Sequence, residues 1–282
     1  MGLVIGDIKF DDTTLAPMPA SVIKLARLVA DPDTSGADYE RVIAFDEALA
    51  ANVLRMANSA WSKPAQPITR VRDAVMRVGA ANILRIAIGA RVAPMMKMEL
   101  AEYELEENEL WRHSVASALA AEHLGRVART SIPPAAFTAA LLHDIGKLYL
   151  GRQLGPAMSA GVRRVMEEHD VTWVEAERRI VGVTHADVGG MVARRWNFPE
   201  ELANAIEHHH DPGAAPGVLC DTVHVANAVA KLIGVGIGAE HLNIDLSEAA
   251  TEHLGLTATG FEELCARVCD ELSEALATYD IG

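Results

Sequence analysis

Apolar residues recur three and four positions apart along almost the whole chain, and a two-residue alternation is nowhere sustained. Between Ser21 and Val29 the positions Val22, Leu25, Ala26 and Val29 fall on one helical face. Asp38 to Phe45, Leu49 to Met56, Val71 to Val78 and Asn82 to Ile88 continue the same period. Ala, Leu, Glu and Arg, which enter helices at little cost, fill the remaining positions. The pattern predicts an all-α protein. Pro17 and Pro19 precede the first helix, Asp31-Pro32-Asp33 ends it, and Pro64 and Pro67 mark a loop. Pro94 closes a first helical block. The acidic stretch Glu99 to Glu109 then leads into a second block that begins near Leu110. Pro212 to Gly217 reads as a loop, Thr222 to Leu232 as a helix, Gly234 to Gly238 as a loosened segment and Phe261 to Leu276 as a final helix. These breaks divide the chain into an N-terminal block (1–98), a second helical block (99–233) and a tail (234–282) that packs on the same domain.

The bulk numbers narrow the function classes. The 282 residues carry a formal net charge of −14, which argues against direct nucleic-acid binding, because a duplex needs a basic surface to replace its counterions. The paired arginines Arg163-Arg164, Arg178-Arg179 and Arg194-Arg195 are diluted by acidic neighbours and read as solvated helix faces. Met1 to Asp12 shows neither the charged start nor the apolar core of a signal peptide. The longest apolar candidate for a membrane span, around Ile83 to Pro94, is interrupted by Arg85 and Arg91. Cys220, Cys265 and Cys269 form no Cys-x-x-Cys pair, which fits reduced thiols in a cytoplasmic protein, with Cys265 and Cys269 packed on one helical face.

Chemistry concentrates in the second block. His143-Asp144 ends an apolar, helix-forming run, and a buried imidazole and carboxylate side by side have to be satisfied by something. Glu109 and His113 stand four apart on one helical face, which suits either two metal ligands or an ordinary surface ion pair. His185 precedes a helix rich in small residues, Ala186 to Gly190, so a close neighbour is expected there. His209-His210 follows the helix Leu202 to Glu207 and stands before Pro212, so both rings can point into one cleft. Each lone histidine, taken by itself, reads as a satisfied core or surface residue before it reads as a ligand. The joint placement at helix ends and on single faces favours one shared site.

The order His113, His143-Asp144, His185, His209-His210 resembles the HD superfamily of metal-dependent phosphohydrolases. Its ligand pattern is similar to that of the HD-GYP branch, which also places a Glu four residues before its first His. The first block resembles the HDOD family, through Leu15-Ala16-Pro17-Met18-Pro19, Phe45-Asp46-Glu47-Ala48-Leu49 and Leu54-Arg55-Met56-Ala57-Asn58-Ser59-Ala60. Ile68, Asp73-Ala74-Val75, Val78-Gly79 and Leu254-Gly255-Leu256 extend the match over nearly the whole chain. The resemblance implies an N-terminal helical HDOD block packed on an HD-type bundle, in a bacterial signalling protein. Asp211-Pro212-Gly213-Ala214 stands where a Gly-Tyr-Pro segment would, which argues against cyclic di-GMP hydrolysis. The resemblance also puts Asn227 at the position of the last HD ligand, normally an Asp; its carbonyl oxygen can ligate without bringing charge. Asp221, six residues earlier, faces elsewhere.

The implied metal set is therefore Glu109, His113, His143, Asp144, His185, His209, His210 and Asn227, holding one or two transition-metal ions. Imidazoles and carboxylates suit Fe, Mn, Zn or Ni better than Mg or Ca. Lys147, one turn after His143, either meets a phosphate or faces solvent. Two functions compete: a regulatory module that binds a signalling protein or a nucleotide, with no membrane partner, and a phosphohydrolase acting on a nucleotide or other phosphoester, in which Asp144 and Lys147 would be catalytic. A zinc-stabilised structural protein is a weaker third, since such sites usually draw on Cys and none lies beside the histidines.

Overall fold

The computed structural model describes residues 17–279 except 32, 59–63, 65 and 241–243. Met1 to Asp12, Leu15-Ala16, Pro32 and Ser59-Ala60 lie outside the described residues. Within them the chain is helical throughout, and its single β-type pairing is the isolated bridge between Leu100 and Leu105.

The first block holds α1 (Ala20–Ala30), α2 (Gly36–Ala44), α3 (Glu47–Ala57), α4 (Val71–Val78) and α5 (Ala80–Met96). In α1, Val22, Leu25 and Ala26 are buried, as their spacing requires. Asp46 caps α3 by accepting from the Leu49 amide at 3.0 Å. Asn58, at the end of α3, donates to the Ile68 carbonyl and accepts from the Ile68 amide, both at 2.8 Å. That two-way clamp fixes the loop before α4 and explains why an amide side chain stands at this motif position. Pro94 does not end α5, which runs to Met96; in the last turn the missing N–H removes a single bond near an end that frays anyway.

The second block holds α6 (Glu109–Val127), α7 (Ala136–Leu142), α8 (Ile145–His169, broken at Gly155), α9 (Trp173–Ile180), α10 (His185–Arg195), α11 (Glu200–Glu207) and α12 (Val218–Leu232). Helices α6, α7 and α12 pack together, with α10 wedged between α8 and α11. Two further helices, α13 (Glu248–Leu254) and α14 (Ala258–Tyr279), follow; α13 lies on α12 and α14 runs along α6. One apolar core runs from Met18 through Leu272. Among the described residues no single helix is long and apolar enough to cross a membrane; α4 and α5 pass that test only together, and they are bent by 99°. All three cysteines are free, and Cys265 and Cys269 both lie on α14.

The crossing of α8 and α10 is unusually close. A Cβ on Gly146 would collide with the His185 carbonyl oxygen and lie 2.6 Å from the Gly189 amide nitrogen. Gly189 in turn meets Ile206 of α11, where a Cβ would lie 2.9 Å from the Ile206 Cγ2. Backbone cannot step aside as a side chain can, so only glycine fits at 146. Gly146→Ala is expected to lower unfolding free energy by about 3 kcal/mol or more in urea titrations. Gly125→Ala in α6, where the added methyl would meet only the Ile132 side chain at 3.8 Å, is expected to be neutral or to stabilise by about 0.5 kcal/mol.

Candidate metal centre

The His-Asp doublet occupies an elbow. Helix α7 ends at Leu142, His143 keeps helical torsions, and Asp144 leaves them to start α8. His185 is the first residue of α10, behind the Thr184–Asp187 capping box, in which each residue's side chain takes the other's amide. His209 and His210 follow the end of α11, His113 lies in α6 and Asn227 in α12. Five helices thus deliver ligands to one spot, and His113, His143, Asp144, His185 and His209 are all at most 1% exposed.

The ring orientations decide the chemistry. Nδ1 of His113 donates to the Val235 carbonyl at 2.8 Å, that of His143 to Ala140 at 2.7 Å, and that of His209 to Ile206 at 2.7 Å. Carbonyl oxygens only accept, so in each neutral ring the proton sits on Nδ1 and Nε2 presents a bare lone pair. Those lone pairs converge on Asp144. His113 and His143 approach its Oδ2 at 3.6 and 3.4 Å, while His185 and His209 approach its Oδ1 at 3.3 and 3.8 Å. The Nε2 atoms of His113 and His143 face each other at 3.3 Å, and the Asn227 Oδ1 lies 3.1 Å from His113 Nε2. Across the carboxylate, His185 and His210 bring their Nε2 atoms to 3.0 Å. Asp144 Oδ1 and His209 Nε2 are buried with no hydrogen bond.

Where two facing rings are both neutral, their lone pairs repel at such distances unless a cation or a shared proton stands between them. Donor atoms about 2.1 Å from one ion and roughly 90–110° apart are themselves about 3.0–3.4 Å apart, and five of the seven separations given above lie in that range, with His113 and His209 standing slightly farther from Asp144. The donors form three overlapping groups among the described residues, His113 with His143 and Asp144, His185 with His209 and His210, and Asp144 with His185 and Glu240. The residues fit one or two transition ions.

Electrostatics support the same conclusion. Burial, reinforced by neighbouring rings, keeps His209 and His210 well below the ordinary imidazole range. Burial likewise draws His113 down to about 4, against the opposing pull of Asp144. Burial would neutralise Asp144, yet His143 and Lys147 hold its carboxyl well below the usual range. His185 differs. Burial opposes its charge, but Glu177 and Asp144 hold it up at about 9. Glu177 is fully buried and accepts four hydrogen bonds: Tyr103 Oη at 2.7 Å, Trp173 Nε1 at 3.0 Å, and the backbone N and Nδ1 of His185, each at 2.9 Å. A carboxylate behind a ligating imidazole fixes its tautomer and sharpens its basicity.

A cavity of about 600 Å³ opens beside the cluster and reaches it at His210, Asn227 and Glu240.

A family model for the HDOD domain matches residues 15–212. The chain belongs to the HDOD domain family. Its fold agrees with that of an HDOD domain protein with unknown function from Geobacter sulfurreducens, at 25% identity over 94% of this chain and 92% of that one, with a TM-score of 0.68. A candidate signal transduction protein from Marinobacter aquaeolei VT8 shares the fold at 21% identity, over 96% of this chain and 62% of that one, with a TM-score of 0.74. An uncharacterised Treponema pallidum protein is 26% identical over 229 residues, and this HDOD chain spans only 43% of its length.

Most of the sequence-derived ligands of the HDOD chain converge, but Glu109 does not. Its carboxylate turns back to accept from the Glu106 amide at 2.8 Å, in the turn that leads into its own helix. Helical spacing puts it on the His113 face but does not set its side-chain torsions. Lys147 does not face solvent: it is buried, with Nζ 2.8 Å from Asp144 Oδ2 and paired with Glu240. Asp221 is turned away, 2.6 Å from His253 Nδ1. Three residues escape a reading of the sequence. Glu177 shares a face with Trp173, one turn before it, but that spacing is common on exposed helices. Tyr103 and Glu240 each end a single turn of 3-10 helix, too short to show a period in the sequence. His224 is a further positioning residue: its Nδ1 donates to the His209 carbonyl at 2.8 Å, and its Nε2 accepts from the Ser247 amide at 2.9 Å.

Glu177→Gln should weaken Zn or Co binding by about 10–100-fold in chelator-competition titrations, with far-UV circular dichroism unchanged. His185 must release its proton to ligate, whereas His113, held at about 4, is already neutral. Affinity should therefore rise about tenfold per pH unit between pH 7 and 8.5 and level off as pH passes about 9. A flat profile would show that His185 does not ligate.

Proposed function

We propose that this HDOD chain is a bacterial signalling regulator built around a retained metal centre. The observation that carries this reading is the charge of the cavity mouth. Glu175, Asp187, Glu207, Asp211 and Asp245 line it, against Arg178 and Lys231. Both cations are already committed, Arg178 to Asp187 at 3.3 Å and Lys231 to Glu240. Glu175 and Glu207 are paired in turn with Arg179 and Arg194, which leaves Asp211 and Asp245 as the mouth's acids without a cationic partner among the described residues, so an anionic phosphoester would meet a weak field of its own sign. The ligands other than His210 and Glu109 are buried, and Lys147, the cation nearest Asp144, is locked between two carboxylates rather than turned to the cavity. These features favour a protein partner over a nucleotide. When bound, a transition ion supplies a Lewis acid and a cross-link between helices; in this reading the cross-link is what matters.

The competing reading, a phosphohydrolase, has one observation in its favour: about 600 Å³ is room enough for a nucleotide beside His210. The two are separated by incubating the Mn- or Fe-loaded protein with a panel of nucleotides. The expected result is phosphate release no greater than that of Asp144→Ala. Metal-dependent release that Asp144→Ala abolishes would establish the hydrolase instead. Removing the metal with a chelator should lower the midpoint of thermal unfolding by about 5 °C or more, since an ion held by the folded state alone stabilises it by mass action.

A further inference from the structure

The segment 234–240 follows α12 and lies against the His113 end of α6. Gly236, at φ 57°, packs so closely that a Cβ there would sit 2.9 Å from the His113 Cβ and collide with the Glu109 carbonyl. The neighbouring Val235 carbonyl receives the His113 Nδ1 proton. The segment therefore both orients one ligand and carries its last residue, Glu240, into the interior, where it is 4% exposed.

Glu240 has two partners, both ammonium groups: Lys147 on one oxygen and Lys231 on the other. Lys147 also touches Asp144 Oδ2, so an anion, a cation and an anion stand in a row. A donor oxygen of Glu240 lies within 4.8 Å of donor atoms of Asp144 and His185. The Lys147 ammonium group is taken up by the two carboxylates and makes no hydrogen bond to the His185 ring, and Asp144 Oδ1 is left without a hydrogen bond. A divalent ion among these three donors would be bound by the Asp144 and Glu240 oxygens and by the His185 ring nitrogen. The charges point the same way: Asn227 brings none, Glu109 is turned aside, and Asp144 alone would leave a dication largely uncompensated in a buried site.

We propose that Glu240 is a metal ligand of the Asp144–His185 half of the centre, and that Lys147 holds the cation's place until a metal ion displaces its ammonium group. The inference rests on the metal-holding reading given above.

Cobalt(II) titration, followed by visible absorption and by metal content after gel filtration, tests it on the full chain. Wild type should take up cobalt. Glu240→Gln should bind at least tenfold more weakly, and Lys147→Gln at least tenfold more tightly because the competing cation is gone. Glu240→Gln leaves Lys147 and Lys231 without their carboxylate and is at risk of not folding. Lys147→Gln/Glu240→Gln removes opposite charges together, and it should bind at least tenfold more weakly than Lys147→Gln. If Lys147→Gln binds no tighter than wild type, or the Glu240 variants match their parents, Glu240 is only a salt-bridge partner and the proposal fails while the metal centre stands. If wild type takes up no cobalt, both fail.

Discussion

Everything in the second block turns on one buried carboxylate. Asp144 sits at the junction of two helices, out of water, with a group of imidazoles aimed at each of its oxygens. A lone charge so placed is untenable, and the surrounding helices are arranged to relieve it. Helix α7 has to end where it does, α10 has to begin at His185, and Gly146 has to be bare so that α8 and α10 approach closely enough. The backbone carbonyls that take the Nδ1 protons belong to α7, α11 and the segment after α12, so the orientation of each ring is a property of the packing.

How much of this could be read beforehand follows from range. The helices were legible because their signal is local: Val22, Leu25 and Ala26 repeat at the helical period and are buried where the period puts them. The doublet and the histidines at helix ends were legible because chain breaks mark the ends. Glu109 shows the limit of spacing as evidence. It shares a face with His113, yet a nearer amide at Glu106 takes its carboxylate, and nothing in the spacing of the two residues expresses that competition. Lys147 was open between solvent and phosphate, and its burial between two acids depends on Glu240, which is 93 positions away and lies in a stretch with no period. Tyr103, with its hydroxyl on Glu177, is equally non-local.

The parts that sequence reading missed are those that connect the centre to the rest of the chain. Tyr103 joins it to the acidic stretch before α6, while His224 joins the His209 backbone to Ser247 at the start of α13. The family relationship accounts for the scaffold. These contacts make the centre a junction through which the C-terminal helices and the segment ahead of α6 touch the same five-helix core.

Glu177 has a consequence for how fast the centre fills. With four donors on it, that carboxylate has no freedom to rotate, and the ring it holds points the same way whether or not an ion is present. Preorganisation of this kind removes the conformational search that usually slows capture. Under the proposed ligation, what would remain is the shedding of hydration water by the incoming ion, the loss of the His185 proton and the departure of one lysine head group. Capture would then be timed by those events rather than by refolding around the guest.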